Sequence, residues 1–178
     1  MTFEEIQTSR LVLRIFTQET YDALFENYSE NEICNYLGLS SKTEFLKEKT
    51  KYQNGLTTFN KKLLYFQLID KLDNTIIGWC GYHTWYVDHA RAEIGCGLHH
   101  EKHKKKGLMQ EALKPVLKYG FEQMKLNRIE AMISPNNAPS LNLIKKLNFT
   151  EEGNLREHYI KDGQTEDSLV FSLLKSEF

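Results

Sequence analysis

Residues 99–106 read HHEKHKKK, four lysines against one glutamate, and run directly into Gly107. An apolar stripe then begins: Met109, Leu113, Val116, Leu117, Gly120, Phe121 and Met124 fall on one helical face. A helix N-terminus offers unpaired N–H groups and a partial positive charge. Lysines raise the local potential, and a glycine lets a ligand approach the backbone. The pattern reads as a cradle for a phosphate or pyrophosphate group. The alternative is a solvated basic loop, the commoner fate of a charge run.

Other chemistry-bearing residues lie close by. Gly95-Cys96-Gly97 interrupts a strand-like run, and glycine weakens strand interiors, so something is expected to approach that backbone. Cys96 is a possible acyl-accepting nucleophile, with His99 as its base. Three residues along a strand turn His99 to the opposite face, which argues against covalent catalysis. Cys96, His99, His100 and His103 match no closed zinc spacing, so no metal is expected. Gly95-x-Gly97-x-x-His100 lacks the third glycine and the βαβ setting of a dinucleotide fingerprint. Trp79, Tyr82, Trp85 and Tyr86 can line an acceptor groove or simply pack in the core.

The elements that must position these residues follow from periodicity. Residues 10–16 alternate as a strand. Tyr21, Leu24, Phe25 and Tyr28 mark a helix, and Ile33, Tyr36 and Leu37 a short second one. Ser41-Lys-Thr-Glu44 reads as a capping box for a third helix ending at Gly55. Strands are expected at Leu63–Asp70, Thr75–Tyr82 and Arg91–Leu98, then the long helix with Pro115 inside it. A strand at Arg128–Ser134, a helix from Pro139 to about Leu147, and strands at 149–160 and 165–174 complete the order. Seven strands and five helices in this order give a mixed α/β fold of the α+β type, not a run of βαβ units.

The chain has 178 residues, which suits one domain over 1–178. Its formal charge of −1 argues against a broad nucleic-acid footprint. The uncharged run Ile76–Val87 is too short to span a bilayer, so no membrane partner is expected. The opening MTFEEIQTSR carries no export pattern, and Cys34, Cys80 and Cys96 suit a reducing setting; a cytoplasmic location is expected.

From Ala92 the chain reads AEIGCGL, then the basic loop, then KGLMQEAL. This resembles the GNAT superfamily of acyl-CoA N-acyltransferases, whose phosphate loop follows Q/R-x-x-G-x-G/A. Lys104-Lys105-Lys106-Gly107-Leu108-Met109 occupies it, with Lys104 in place of Gln/Arg and Met109 in place of a small residue. Asn137-Ala-Pro-Ser140 and Lys146-Leu147-Asn148-Phe149 resemble the N-x-x-S…K-x-G-F segment, with Asn148 where glycine is usual. Thr8–Arg14, Arg156, Tyr159, Asp162-Gly163 and Asp167 resemble the branch that acetylates ribosomal-protein N-termini.

The resemblance implies a mostly antiparallel seven-stranded sheet flanked by helices, with splayed central strands. It implies acetyl-CoA as co-substrate, its pyrophosphate on the backbone around Lys105–Met109. The pantetheine arm would run beside Ile94, Cys96 and Leu98, with Asn137, Ser140 and Lys146 also at the cofactor. An amine would attack the thioester directly in a ternary complex. That amine must be neutral, so a base is useful, and Glu93 is the candidate; the alternative is an ion pair with Arg91 or Arg128. Ser140 is the candidate proton donor to the leaving thiolate, or a helix-start hydroxyl. Asn137 serves equally as a helix cap. The acceptor is a protein N-terminus, a polyamine or another small amine, and the chain a monomer or homodimer. A domain that binds CoA as a sensor without turnover is the alternative function.

Overall fold

The computed structural model describes residues 2–53 and 61–178. Eight strands form one sheet: β1 (Glu5–Gln7), β2 (Leu11–Phe16), β3 (Lys61–Asp70), β4 (Ile76–Tyr86), β5 (Arg91–Leu98), β6 (Arg128–Ile133), β7 (Thr150–Lys161) and β8 (Gln164–Leu174). Five helices accompany them: α1 (Gln18–Asn27), α2 (Glu30–Leu37), α3 (Lys42–Gln53), α4 (Leu108–Glu122) and α5 (Ala138–Lys146). The strand order is β1-β2-β3-β4-β5-β6-β8-β7. This is the expected mixed fold with one strand more than the seven read from sequence. The addition is β1, three residues paired to β2 and too short to show a period. The stop expected at Gly55 lies outside the described residues. Among the described residues no helix is long and apolar enough to cross a membrane.

Alternation along the strands divides the core between two faces. Leu11, Leu13, Phe66, Leu68, Ile77 and Cys80 pack with α4 and α5 on one face. Phe16, Tyr21, Leu24, Ile33, Leu37 and Phe45 gather under α1–α3 on the other. Helix α4 supplies Leu108, Ala112, Leu113, Val116, Leu117 and Phe121 to the first core and continues past Pro115 to Glu122. The fully buried Tyr82 donates its hydroxyl to the Val116 carbonyl at 2.8 Å. It fits because residue 120 is glycine; a Cβ there would collide with the Tyr82 ring.

Every neighbouring pair of strands is antiparallel except β5 and β6, which α4 connects in parallel. The parallel ladder holds only three pairs: Arg91–Arg128, Ala92–Ile129 and Glu93–Glu130. Its base is clamped by Glu130, which takes Arg91 at 2.8 Å and Arg128 at 2.7 Å. Beyond it β5 follows β4 as far as Leu98, while β6 follows β8 through Ile133. A gap opens between residues 94–98 and 131–133 and leaves their inner edges unpaired with each other.

Candidate active site

Three cavities lie around β4 and β5. The gap itself holds about 540 Å³, bordered by Glu93 to Cys96, by Ala131 to Ser134 and by the start of α5. A second cavity of about 560 Å³ continues from Cys96 and Ser140 to the basic loop and the first turn of α4. A third, of about 440 Å³, lies on the opposite face beneath α1–α3. Cys96, Asn137, Ser140 and Leu143 border both of the first two. Trp79 and His83 border both the gap and the third.

The loop cavity is built around backbone. Gly107 sits at φ +75°, the left-handed region that favours glycine, and Lys105 at +60°. A Cβ at Gly107 would meet Arg10 only at ordinary contact distance, so the conformation, not lack of space, calls for glycine. Gly107 caps α4 without a side chain, whereas Thr17 caps α1 and Asn137 caps α5 through side-chain oxygens. The first turn of the longest helix thus has N–H groups to offer an anion.

The loop is held from behind. Glu111 accepts from Thr8 Oγ1, Arg10 N and Arg10 Nε, each at 2.7 Å. Arg10 Nη1 also donates to the Lys106 carbonyl at 3.0 Å. Burial alone would raise the Glu111 carboxyl; the donors from Arg10 and Thr8 outweigh it and hold the group below the ordinary carboxylate range.

Most sequence-predicted residues converge here. Lys104, Lys105, Gly107, Leu108, Met109, Leu98 and Lys146 border the loop cavity, and Ile94 borders the gap. Lys106 stands apart from the lining, and Lys104 is paired with Glu101. Met109, where the family pattern has a small residue, is buried in the core. Asn137 acts as the cap, its Oδ1 accepting from Ser140 N at 3.3 Å. Ser140 borders both the gap and the loop cavity.

Glu93 occupies the last paired position before the strands part. Its register partner on β4 is His83, whose Nδ1 lies 3.7 Å from Glu93 Oε2. Arg91 and Arg128 are both engaged by Glu130. Cys96 points to the other face from Glu93, and burial pushes its thiol up to about 11, a poor state for a nucleophile.

Two expectations change. The glycines of Gly95-Cys96-Gly97 face the protein's own rings: a Cβ on Gly95 would meet His83 and Trp79 at 3.0–3.2 Å, and one on Gly97 would meet Trp79 at 3.3 Å. They make room for the wall between two cavities. The aromatic group divides as well. Tyr82 is core, Tyr86 stacks under Arg91 at 4.1 Å, and Trp79, 39% exposed, lines both cavities.

Sequence reasoning missed His83, Gln67, Tyr65, Tyr21 and Glu48, which come from four elements and share no local pattern. It also missed Glu166, which accepts from the Tyr159 hydroxyl at 2.6 Å beside the gap.

Comparison with known proteins accords with this geometry. Residues 10–150 match the acetyltransferase (GNAT) domain family. An uncharacterized N-acetyltransferase p20 from Bacillus licheniformis is 35% identical over 177 residues, covering 98% of each chain. The [Ribosomal protein uS5]-alanine N-acetyltransferase of Escherichia coli is 28% identical, over 94% of this chain and 89% of its own. The crystal structure of a GNAT-family acetyltransferase from Bacillus anthracis superposes with a TM-score of 0.69 at 26% identity, covering 98% of this chain and 100% of that one. A parallel pair that parts after three residues, a helix without a side-chain cap behind a basic loop, and these similarities lead to one assignment: the chain belongs to the GNAT acetyltransferase family and is an acetyltransferase.

Proposed function

We propose that the protein transfers the acetyl group of acetyl-CoA to a primary amine by direct attack in a ternary complex, with the two substrates entering from opposite faces of the sheet. The observation that carries this reading is that the three cavities adjoin through shared walls: the loop cavity and the gap share Cys96, Asn137 and Ser140, and the gap shares Trp79 and His83 with the cavity under α1–α3.

The residues suit the co-substrate. Backbone N–H groups at Gly107–Met109 and the charges of Lys104 and Lys105 fit a pyrophosphate. The unpaired edge of β5 at residues 94–98 can bond an extended pantetheine arm as a strand would. The thioester then lies in the gap beside Glu93.

Glu93 serves as general base, with His83 as its neighbour. It takes the ammonium proton, and the neutral nitrogen then bonds to the acetyl carbonyl carbon. The carbon–sulfur bond then breaks; the Ser140 hydroxyl, bordering the gap and the arm's path alike, hands a proton to the departing sulfur and takes in return the one the acylated nitrogen sheds as the amide forms. A lysine-like amine of pKa about 10.4 is almost wholly protonated at neutral pH, so the base matters most for such acceptors.

Incubation with acetyl-CoA and a panel of primary amines, read by mass spectrometry and by release of free thiol, tests the reading. An acetylated amine matched by an equal amount of CoA supports it. Tight CoA binding with no amine acetylated would overturn it in favour of a sensing role.

A further inference from the structure

The cavity under α1–α3 carries polar atoms whose roles can be worked out one by one. Gln67, on β3, is 3% exposed and lines the cavity. Its Nε2 donates to the Tyr36 carbonyl at 2.9 Å, which fixes the orientation of the amide. Among the described residues nothing donates to its Oε1. A buried amide oxygen without a donor costs about 1–3 kcal/mol, so this atom seeks an N–H or O–H from whatever fills the cavity.

Tyr65 shares that need. The Tyr21 hydroxyl donates to Glu48 Oε1 at 2.9 Å and lies 2.7 Å from the Tyr65 hydroxyl. Tyr21 has one proton and gives it to the carboxylate, so Tyr65 donates to Tyr21. The Tyr65 oxygen is left as an acceptor. Burial raises both phenols well above their ordinary range, so the protons stay in place.

Charge in the cavity is already matched. Among the described lining residues the carboxylate is Glu48, and Lys51 pairs with it at 3.2 Å. Burial and the neighbouring His100 hold His99 below the ordinary imidazole range. The remaining walls are largely apolar or aromatic, among them Leu37, Leu39, Ile76 and Trp79.

We infer that the amine acceptor has an apolar body carrying a neutral N–H donor, which binds Gln67 Oε1 and the Tyr65 oxygen, and that a second positive charge is selected against. This rests on the acetyl-transfer reading and names the acceptor class for it. Gln67 pairs in register with Trp79, and Trp79 with Gly97 at the edge of the gap. Gln67 thus lies two strand spacings, about 10 Å, across the sheet from β5. A carboxamide on a free small amine and an inner N–H of a peptide N-terminus both meet this description.

Three linear amines of similar length separate the possibilities: aminocaproamide, its methyl ester and hexamethylenediamine. In the wild-type protein the amide should exceed the ester about tenfold in kcat/KM, and the diamine should be poorest. Gln67→Leu should erase the advantage of the amide while sparing the ester and the KM for acetyl-CoA. Gln67→Glu, with a carboxylate in the same place, should raise the diamine relative to the ester. A short apolar peptide assayed alongside assigns the source of the donor: the larger Gln67→Leu loss marks it as peptide or small amide. Equal rates for amide and ester, a preferred diamine, or an equal loss on all three amines would overturn the inference while leaving acetyl transfer intact. Acetylation of none of them, with acetyl-CoA still bound, would instead overturn the underlying reading.

Discussion

On the α4–α5 face of the sheet the cavity wall is backbone and charge: the loop ending at Gly107, the open first turn of α4, Lys104 and Lys105. On the other it is side chains: Tyr21, Tyr65, Gln67 and Trp79, brought from α1, β3 and β4. Backbone N–H groups recognise any phosphate and tolerate change in the surrounding side chains, provided the loop keeps its shape. Side-chain walls recognise one particular body and change with each substitution. The two halves therefore fail differently. Damage to the first should remove co-substrate binding through loop conformation, while damage to the second should alter which amine is used.

The largest effect should follow Gly107→Val. A β-branched residue at φ +75° is strained in the turn that opens α4 and intrudes where the backbone is proposed to meet a phosphate. Titration calorimetry should find CoA binding abolished, with circular dichroism near wild type. Wild-type affinity in the folded variant would remove the loop from the donor side.

Charge should matter less than conformation. Lys104→Gln with Lys105→Gln should weaken CoA binding several-fold at low salt, and the gap from wild type should close as salt screens the remaining charge. Lys106→Gln should change affinity little, because its side chain stands outside the lining. Equal losses from all three positions would mean a diffuse field, not a defined wall.

The smallest effect belongs to the shared frame. Arg128 first, then Ser172, holds the Glu152 carboxyl down to about 2. A lowered folded value means that the stabilisation is complete above the unfolded value of about 4.3 and fades as pH falls toward 2. Glu152→Gln should lower Tm by about 2–4 °C at pH 7, since an exposed pair contributes up to about 1 kcal/mol, and the difference should vanish in acid. Thermal melts across pH check it; a difference that grows in acid would contradict the assignment.

How much of this was legible follows from the same contrast. The loop and the start of α4 are contiguous, so charge run, glycine and helical stripe stood together in residues 99–124. The base of the splay was not legible, because it depends on Glu130 meeting Arg91 and Arg128 from a neighbouring strand and from its own. Nor was the true use of Gly95 and Gly97, since the rings that fill their space lie on β4. Gln67 did leave a trace: it is a polar residue inside the apolar run LLYFQLID. Its burial and open Oε1 required the fold. Residues gathered from several elements have no spacing to detect.

The central claim is that Glu93, where β5 and β6 part, removes the proton that lets an amine attack. The pH–rate profile of Glu93→Gln beside wild type, with one lysine-like acceptor and saturating acetyl-CoA, tests it most directly. Gln preserves size and cannot accept a proton near neutrality. The rate of Glu93→Gln should be lower by about 10²–10⁴-fold at pH 7, with acetyl-CoA affinity retained. The deficit should shrink as pH approaches about 10.4, where the amine becomes neutral unaided. An unchanged rate and profile in the folded variant would contradict the claim.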